Sequence, residues 1–176
     1  MSSLLTRLSA RTTWVAAGLI SWLAVAIAVW SQHRFDLQPC PWCILQRMIF
    51  LLIGATCLIA AGLVRPVPAR TRIATWGAGL AAALVAALGW AGAAAALYQN
   101  RVASHSSSCK LTLADRIITG SGLDAALPEV FEVRATCADA VATLAGVPVE
   151  LWSLALFLAL SVHALWRLRQ PGARPV

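Results

Sequence analysis

The chain has 176 residues, of which 60% are hydrophobic and only 12% are charged, and its mean hydropathy is +0.75. A water-soluble domain carries about a quarter charged residues, so this composition excludes an ordinary soluble fold and favours a membrane protein. The formal net charge of +7 comes from basic residues dispersed between apolar windows, without the basic stripe that nucleic-acid-binding domains present.

Four windows without any charged residue predict four transmembrane helices. They cover residues 12–32, 48–64, 73–100 and 151–166. A helix needs about 20 apolar residues to cross the hydrocarbon layer, with a tolerance of roughly 17 to 25. The second and fourth windows reach this length if their helices begin near Cys43 and Val147. We therefore expect an all-α four-helix transmembrane bundle, a single integral membrane domain over 1–176, with spans of about 13–31, 43–64, 73–97 and 147–166.

The distribution of charge predicts the orientation of the bundle. Four spans put both termini on one side, which receives eight basic residues and no acid, whereas the other side receives six basic residues and all seven acids. Positively charged loops stay in the cytoplasm. We therefore expect cytoplasmic termini and two outward loops, at about 32–42 and 98–146. A cleaved signal peptide, with Ala24-Val25-Ala26 as its cleavage site, is the alternative for the first window.

The third window and the second loop carry further patterns. Sixteen of the 25 residues in 73–97 are Ala or Gly, which let helix backbones approach closely in lipid, so we place this helix at the centre of the bundle. In the loop, apolar residues recur at helical spacing and predict a short helix on the membrane surface, ended by Gly120 to Gly122. A solvated turn is the alternative for so short a pattern, which consists of Leu111, Ala114, Ile117 and Ile118.

Four of the five cysteines fall on the outward side: Cys40 and Cys43 as a Cys-Pro-Trp-Cys pair, then Cys109 and Cys137. Disulfides persist in oxidising compartments such as the periplasm, and Cys-x-x-Cys pairs are associated with reversible redox chemistry. The pattern predicts two dithiols that exchange with each other. Two inert structural disulfides, or a metal site with these four thiolates as ligands, are the alternatives. The fifth cysteine, Cys57, lies in mid-span and is interpreted as a small buried apolar residue.

Arg47 is the next candidate, because it lies one helical turn beyond Cys43 on the same face. A guanidinium there can stabilise a thiolate, or donate hydrogen bonds to a carbonyl oxygen of a lipid-soluble electron acceptor. The alternative is an interfacial arginine that extends to the lipid headgroups. Since no nucleotide or metal motif is present, a lipid-soluble oxidant such as a quinone fits the pattern.

At these residues the chain closely resembles the bacterial disulfide-bond-forming protein B (DsbB) family of inner-membrane, quinone-dependent thiol oxidases. The resemblance covers nearly the whole chain. Its matched residues are Pro39-Cys40-Pro41-Trp42-Cys43, Arg47, Cys109, Pro128-Glu129-Val130-Phe131, Cys137-Ala138, Leu144, Pro148 and Trp152.

The resemblance implies a role for each candidate residue. A family member reoxidises a periplasmic, DsbA-like dithiol oxidase of thioredoxin fold and passes the electrons to ubiquinone or menaquinone. Cys109 is then expected to form the mixed disulfide with that partner, and Cys137 to complete the loop pair. Cys40 and Cys43 are expected to take the electrons on, with Cys43 facing the quinone and Arg47 assisting.

One region departs from the family pattern. Many members have a basic residue or a histidine before the second loop, where this chain reads Leu97-Tyr98-Gln99-Asn100-Arg101. Gln99 or Arg101 is the candidate substitute. Four alternative functions stay open: a thiol oxidase serving a dedicated partner, a protein similar to vitamin K epoxide reductase, a metal-handling membrane protein and a purely structural subunit.

Overall fold

Four long helices carry the apolar windows of the sequence. The computed structural model describes residues 2–64, 72–105, 112–140 and 142–169. The long helices are α1 Ser2–Phe35, α2 Pro41–Leu63, α3 Arg72–Arg101 and α7 Val149–Arg169. Each contains a stretch long and apolar enough to cross a membrane, with mean hydropathies from 1.6 to 2.1. The predicted all-α fold with four membrane-spanning helices is confirmed, whereas its orientation in the bilayer stays a prediction.

The described part of the second loop contains three short α-helices, α4 Leu113–Ser121, α5 Leu123–Ala126 and α6 Pro128–Phe131, after a 3-10 turn at Ala103–His105. Helix α4 begins with a capping box, in which the Thr112 hydroxyl accepts from the Asp115 N–H and the Asp115 carboxylate accepts from the Thr112 N–H. It ends at Gly122, whose φ of 67° is the left-handed conformation that glycine adopts without strain. The predicted helix therefore exists, and its position on the membrane surface stays a prediction. Leu111, the first residue of the predicted pattern, lies outside the described residues.

A short hairpin precedes the last long helix. Strands β1 Thr143–Leu144 and β2 Val147–Pro148 pair antiparallel, with Ala145 and Gly146 at positive φ in the turn. Because Val147 and Pro148 are occupied in this hairpin, α7 begins at Val149. Glu150 in its first turn is buried and accepts a hydrogen bond from Asn100 Nδ2 at 3.1 Å, which joins the ends of α3 and α7.

The long helices pack in a bundle with α2 and α3 as its inner members. Helix α2 packs between α1 and α3, and α3 packs between α2 and α7. Trp14 of α1 meets His163 of α7 edge to face, with ring centroids 5.5 Å apart, and closes the bundle. The predicted central position of α3 is therefore shared with α2, and both bury more of their apolar windows than α1 and α7 do.

The glycines of α3 allow the close contact with α7. A Cβ atom on Gly89 would lie 2.1 Å from Ser161 Oγ, and one on Gly92 would lie 2.4 Å from the Phe157 ring. The space left by these glycines lets Phe157 reach across to α2, where it stacks on Phe50 with ring centroids 3.9 Å apart. This is the close backbone approach that the Ala and Gly content of the third window predicts.

Candidate functional site

The Cys40–Cys43 pair lies at the start of α2. Cys40 is the residue that precedes the helix, and Pro41 occupies its first turn, where the missing N–H of proline costs no hydrogen bond. Residues three apart in a helical turn meet on one face, and the two Sγ atoms are 3.1 Å apart. Cys40 is fully buried and Cys43 is half-buried. Local helix geometry is thus sufficient to bring these two thiols together.

The second loop brings Cys137 against Cys40. The backbone N–H groups of Arg134 and Ala135 donate to the Pro39 carbonyl oxygen, at 3.0 and 3.2 Å. Cys137 follows these residues, is buried, and hydrogen-bonds with the Cys40 thiol. That hydrogen bond, together with burial, raises the pKa of Cys40 to about 12, against an opposing hydrogen bond with Cys43. Cys40 therefore keeps its proton at neutral pH.

Arg47 is buried and connects three segments. Its Nη1 donates to Gln32 Oε1 of α1 at 3.0 Å and to the Val130 carbonyl oxygen of α6 at 2.9 Å. A buried charge needs such partners, because removing it from water is otherwise costly. These contacts direct the guanidinium into the protein and disfavour an arginine that only extends to the headgroups. Arg47 lies one turn beyond Cys43, as its spacing predicts, but these hydrogen bonds go to oxygen atoms and not to sulfur.

Side chains complete the docking of the second loop. Phe131 and Ile118 pack on Ile44, in the first turns of α2, and form a small buried apolar cluster. At the surface, His33 Nε2 lies 3.4 Å from a carboxylate oxygen of Glu129, which also pairs with Arg134 at 3.8 Å. The apolar cluster is the stronger part of this contact, because exposed ion pairs contribute little to stability.

Two glutamines form a buried hydrogen-bonded chain that ends on Cys43. Gln46 Nε2 donates to Gln99 Oε1 at 2.7 Å, and Gln99 Nε2 donates to Cys43 Sγ at 3.2 Å. Both glutamines are buried, whereas Arg101 is exposed. Of the two candidate substitutes before the second loop, the structure therefore brings Gln99 to the thiols and leaves Arg101 at the surface.

Trp42, between the two cysteines, is buried and its indole N–H has no hydrogen-bond partner among the described residues. Its ring lies against Tyr98, with centroids 4.7 Å apart, and Tyr98 itself is partly exposed. A buried indole N–H usually finds a partner. The site thus presents an unused donor beside the Cys40–Cys43 pair.

Gln32, Gln46 and the unused donor of Trp42 are site features that the sequence patterns do not identify. Gln32 and Gln46 lie at the edges of strongly apolar helices, where an uncharged polar residue needs a partner, and that is a signal from which they could have been identified. Cys109 lies outside the described residues, so its predicted role is untested by the geometry. Among the described residues, no group of three or more His, Cys, Asp or Glu side chains is arranged to hold a metal ion.

The amino-acid sequence matches one protein-family model and is similar to several known proteins. The family model described as "Disulfide bond formation protein DsbB" matches residues 10–167. The chain is similar to disulfide bond formation protein B 2 of Burkholderia lata, with 34% identity over 160 residues, 90% of this chain and 89% of the relative. It is also similar to disulfide bond formation protein B of Stutzerimonas stutzeri, with 33% identity over 164 residues, 91% of this chain and 95% of the relative. A third relative, disulfide bond formation protein B 2 of Pseudomonas aeruginosa, is 34% identical over 162 residues, 90% of each chain.

Proposed function

This chain belongs to the disulfide bond formation protein DsbB family, and on that premise we propose that it reoxidises a DsbA-like periplasmic dithiol oxidase and passes the electrons to a membrane quinone. Two cysteine pairs, Cys109 with Cys137 and Cys40 with Cys43, carry the electrons. One observation supports this route above all others. Cys40 contacts both Cys43 and Cys137, so a single sulfur is shared between the two pairs.

The contact of Cys137 with Cys40 supports a definite order of thiol exchange. A thiolate of the reduced partner attacks Cys109 in the Cys109–Cys137 disulfide and releases the Cys137 thiolate, and the second partner thiolate then releases Cys109. The Cys137 thiolate attacks Cys40 Sγ in the Cys40–Cys43 disulfide. The new bond joins Cys40 to Cys137, and Cys43 leaves with the electron pair of the broken bond.

A last exchange closes the cycle. The Cys109 thiolate attacks Cys137 in the Cys40–Cys137 disulfide, which restores the loop disulfide and releases Cys40. Two electrons have then moved from the partner dithiol, now a disulfide, to Cys40 and Cys43. The raised pKa of Cys40 means that this sulfur takes up a proton as it leaves and does not attack in its turn at neutral pH. Cys40 is therefore the sulfur that is attacked, and Cys43 is the sulfur that faces the final oxidant.

The residues around Cys43 fit a quinone. The Trp42 indole N–H is a buried donor without a partner among the described residues, and the Tyr98 ring beside it offers a flat apolar surface. In the described part of the chain both hydrogen bonds of Arg47 start from Nη1, so its Nε and Nη2 groups are further donors for a carbonyl oxygen. A bound quinone supplies an oxidant that accepts two electrons and two protons. Trp42 and Arg47 would hold its oxygen atoms, and the two thiols would lose their electrons to it.

The proposed orientation follows from the charges. The side that would hold the termini has eight basic residues and no acid, which supports a cytoplasmic location for it in the inner membrane. The start of α2 and the second loop then face the periplasm. In this orientation Cys40, Cys43 and Cys137 lie at the periplasmic side, between the partner dithiol that reacts with Cys109 and a quinone dissolved in the membrane.

A turnover experiment tests the proposal. The purified full-length protein in detergent is mixed with reduced DsbA and ubiquinone or menaquinone, and quinone loss is followed by absorbance. We expect quinone loss with one of the two quinones. The Cys109→Ser variant should lose this activity, yet still reduce quinone when a small dithiol reduces Cys40–Cys43 directly. If Cys109→Ser oxidised DsbA at the wild-type rate, the proposed order of exchange would be wrong.

A further inference from the structure

The chain of Gln46, Gln99 and Cys43 is not used by any step described above. Gln46 is 4% exposed and Gln99 is 5% exposed, and they belong to different helices, α2 and α3. The hydrogen bonds of 2.7 Å between the two amides and 3.2 Å from Gln99 to Cys43 Sγ run in one direction. Two buried amides in an apolar bundle are costly unless both are satisfied, so a specific arrangement of donors and acceptors is maintained here.

The direction of these two hydrogen bonds decides which atom of Gln99 faces the Cys43 sulfur. Because Gln46 donates its N–H to Gln99 Oε1, the oxygen of Gln99 is occupied and its NH₂ group points at Cys43. An amide NH₂ donates to a thiolate, whereas an amide oxygen would repel it. Gln46 therefore determines that a donor, and not an acceptor, is presented to the sulfur.

The sulfur concerned is the one that carries charge in the exchange. When the Cys40–Cys43 bond breaks, the electron pair stays on Cys43, and a thiolate forms in a partly buried position. The hydrogen bonds of Arg47 to described residues go to Gln32 and Val130, so its Nη1 is engaged elsewhere. Among the described side chains, Gln99 is the one apart from Cys40 that hydrogen-bonds to Cys43. A hydrogen bond donated to the charged form stabilises that form.

We propose that Gln99 is a further catalytic residue, which stabilises the Cys43 thiolate, and that Gln46 is a positioning residue, which orients Gln99. This inference rests on the proposed function for the importance of that thiolate. In this inference Gln99 acts by donating a hydrogen bond to the Cys43 sulfur, and not by contacting a quinone. The two glutamines act as one unit, so the loss of either one removes the same interaction.

Alkylation of reduced full-length protein in detergent tests the inference without any quinone or partner. The initial rate of iodoacetamide reaction at Cys43 is measured at pH 7 by peptide mass spectrometry. We expect Gln99→Met to slow it by roughly threefold to tenfold, since a hydrogen bond to a charged group is lost while the less stabilised thiolate is intrinsically more nucleophilic. We expect Gln46→Met to slow it in the same direction, and the double variant to be no slower than Gln99→Met alone.

Two controls separate this effect from damage to the fold. Trp22→Phe removes a different hydrogen bond between helices, from the indole N–H to the Leu51 carbonyl oxygen at 3.2 Å, and should leave the rate at Cys43 unchanged. Cys57, fully buried in the same helix, should stay unalkylated in every variant that is folded. Gln99→Asn is the second variant, because it keeps a buried amide that is one methylene too short to reach the sulfur, and it should slow Cys43 as Gln99→Met does.

The outcomes distinguish this inference from the proposed function. If Cys43 reacts at the wild-type rate in both Gln99→Met and Gln99→Asn, or if the two methionine substitutions slow it additively, the inference is overturned. Slowing that is shared by Gln46→Met and absent in Trp22→Phe supports it. A failure of the proposed function would appear separately, as wild-type protein that reduces no quinone with reduced DsbA, whatever its alkylation rates.

Discussion

The two halves of α2 both contribute buried side chains to the bundle core, and each contains a cysteine, but their surroundings differ. Cys43 in the first half contacts Cys40 at 3.1 Å and accepts a hydrogen bond from Gln99. Cys57 in the second half is also buried, among the apolar residues of the bundle core. The neighbours of Cys43 include a buried guanidinium and two buried amides, whereas Gly54, near Cys57, lies against the Trp22 ring.

This difference separates the proposed redox site from a thiol that is merely buried. A thiol in apolar surroundings is inert, because no group stabilises its thiolate form and no second sulfur lies near enough to form a disulfide. The first half of α2 has both, because helix geometry brings Cys40 to Cys43 and Gln99 of α3 donates a hydrogen bond to the Cys43 sulfur. Polar groups at membrane depth remain satisfied only where protein or water, rather than lipid, lies against them.

Serine substitutions at the two positions should produce the largest contrast. We expect Cys43→Ser to lower quinone-coupled oxidation of DsbA by about a thousandfold or more, since a serine hydroxyl neither forms a disulfide nor leaves as a thiolate. Cys57→Ser should keep turnover within about twofold while a buried hydroxyl lowers the free energy of unfolding by about 1–3 kcal/mol. Turnover is measured as quinone absorbance loss, and a comparable loss in Cys57→Ser would remove the distinction between the two halves.

The docking of the loop should depend on Arg47 more than on the surface ion pairs. In a background of Cys43→Ser and Cys109→Ser, mild oxidation traps Cys40 with Cys137, and the trapped fraction reports their contact. We expect Arg47→Ala to lower the trapping rate by about tenfold, because each lost hydrogen bond from a charged group contributes about 1.5–3 kcal/mol and part of this holds the Val130 segment.

Arg134→Ala is the matched control for that experiment. Its side chain pairs with Glu129 and Glu132 at the surface, at 3.8 and 2.9 Å, while its backbone N–H still donates to Pro39. Exposed pairs contribute about 0–1 kcal/mol, so trapping should change by no more than a few-fold. Equal losses in the two variants would show that the Arg47 hydrogen bond to Val130 does not hold the loop against α2.

Glycine substitutions should have the smallest effects on chemistry and should act on stability alone. Gly92→Ala places a methyl group 2.4 Å from the Phe157 ring, and we expect this overpacking to lower the free energy of unfolding by about 1–3 kcal/mol. Gly62→Ala meets no atom within 4 Å and should raise stability by up to about 1 kcal/mol through helix propensity. Unfolding in detergent measures both, and a Gly92→Ala variant as stable as Gly62→Ala would contradict the close packing of α3 on α7.

Turnover per folded molecule should be unchanged in both glycine variants, because neither position contacts the cysteines. A drop in turnover for Gly92→Ala at full folding would mean that packing between α3 and α7 also positions Gln99. In that case the packing of α3 on α7 would be coupled to the surroundings of Cys43 in the first half of α2.

Much of the molecule is determined by the sequence alone. The charge-free windows predict four long helices, because the cost of burying charge in lipid excludes charged residues from them. The Cys-x-x-Cys spacing places Cys40 and Cys43 in one helical turn, and the spacing of Arg47 places it in the next turn. The Thr112 and Asp115 pattern and Gly122 determine the ends of α4. All of these are local, and each depends on residues within a few positions of one another.

Other features were decided by the tertiary structure. Nothing in the spacing of Cys137 indicates that it meets Cys40 rather than Cys43, because that contact depends on the hydrogen bonds from Arg134 and Ala135 to Pro39. Gln99 was identified as one of two candidates, and only the packing of α3 on α2 selects it over Arg101. The physical reason is that a hydrogen bond between distant segments depends on the relative rotation of packed helices and on the path of a loop, neither of which any local pattern specifies.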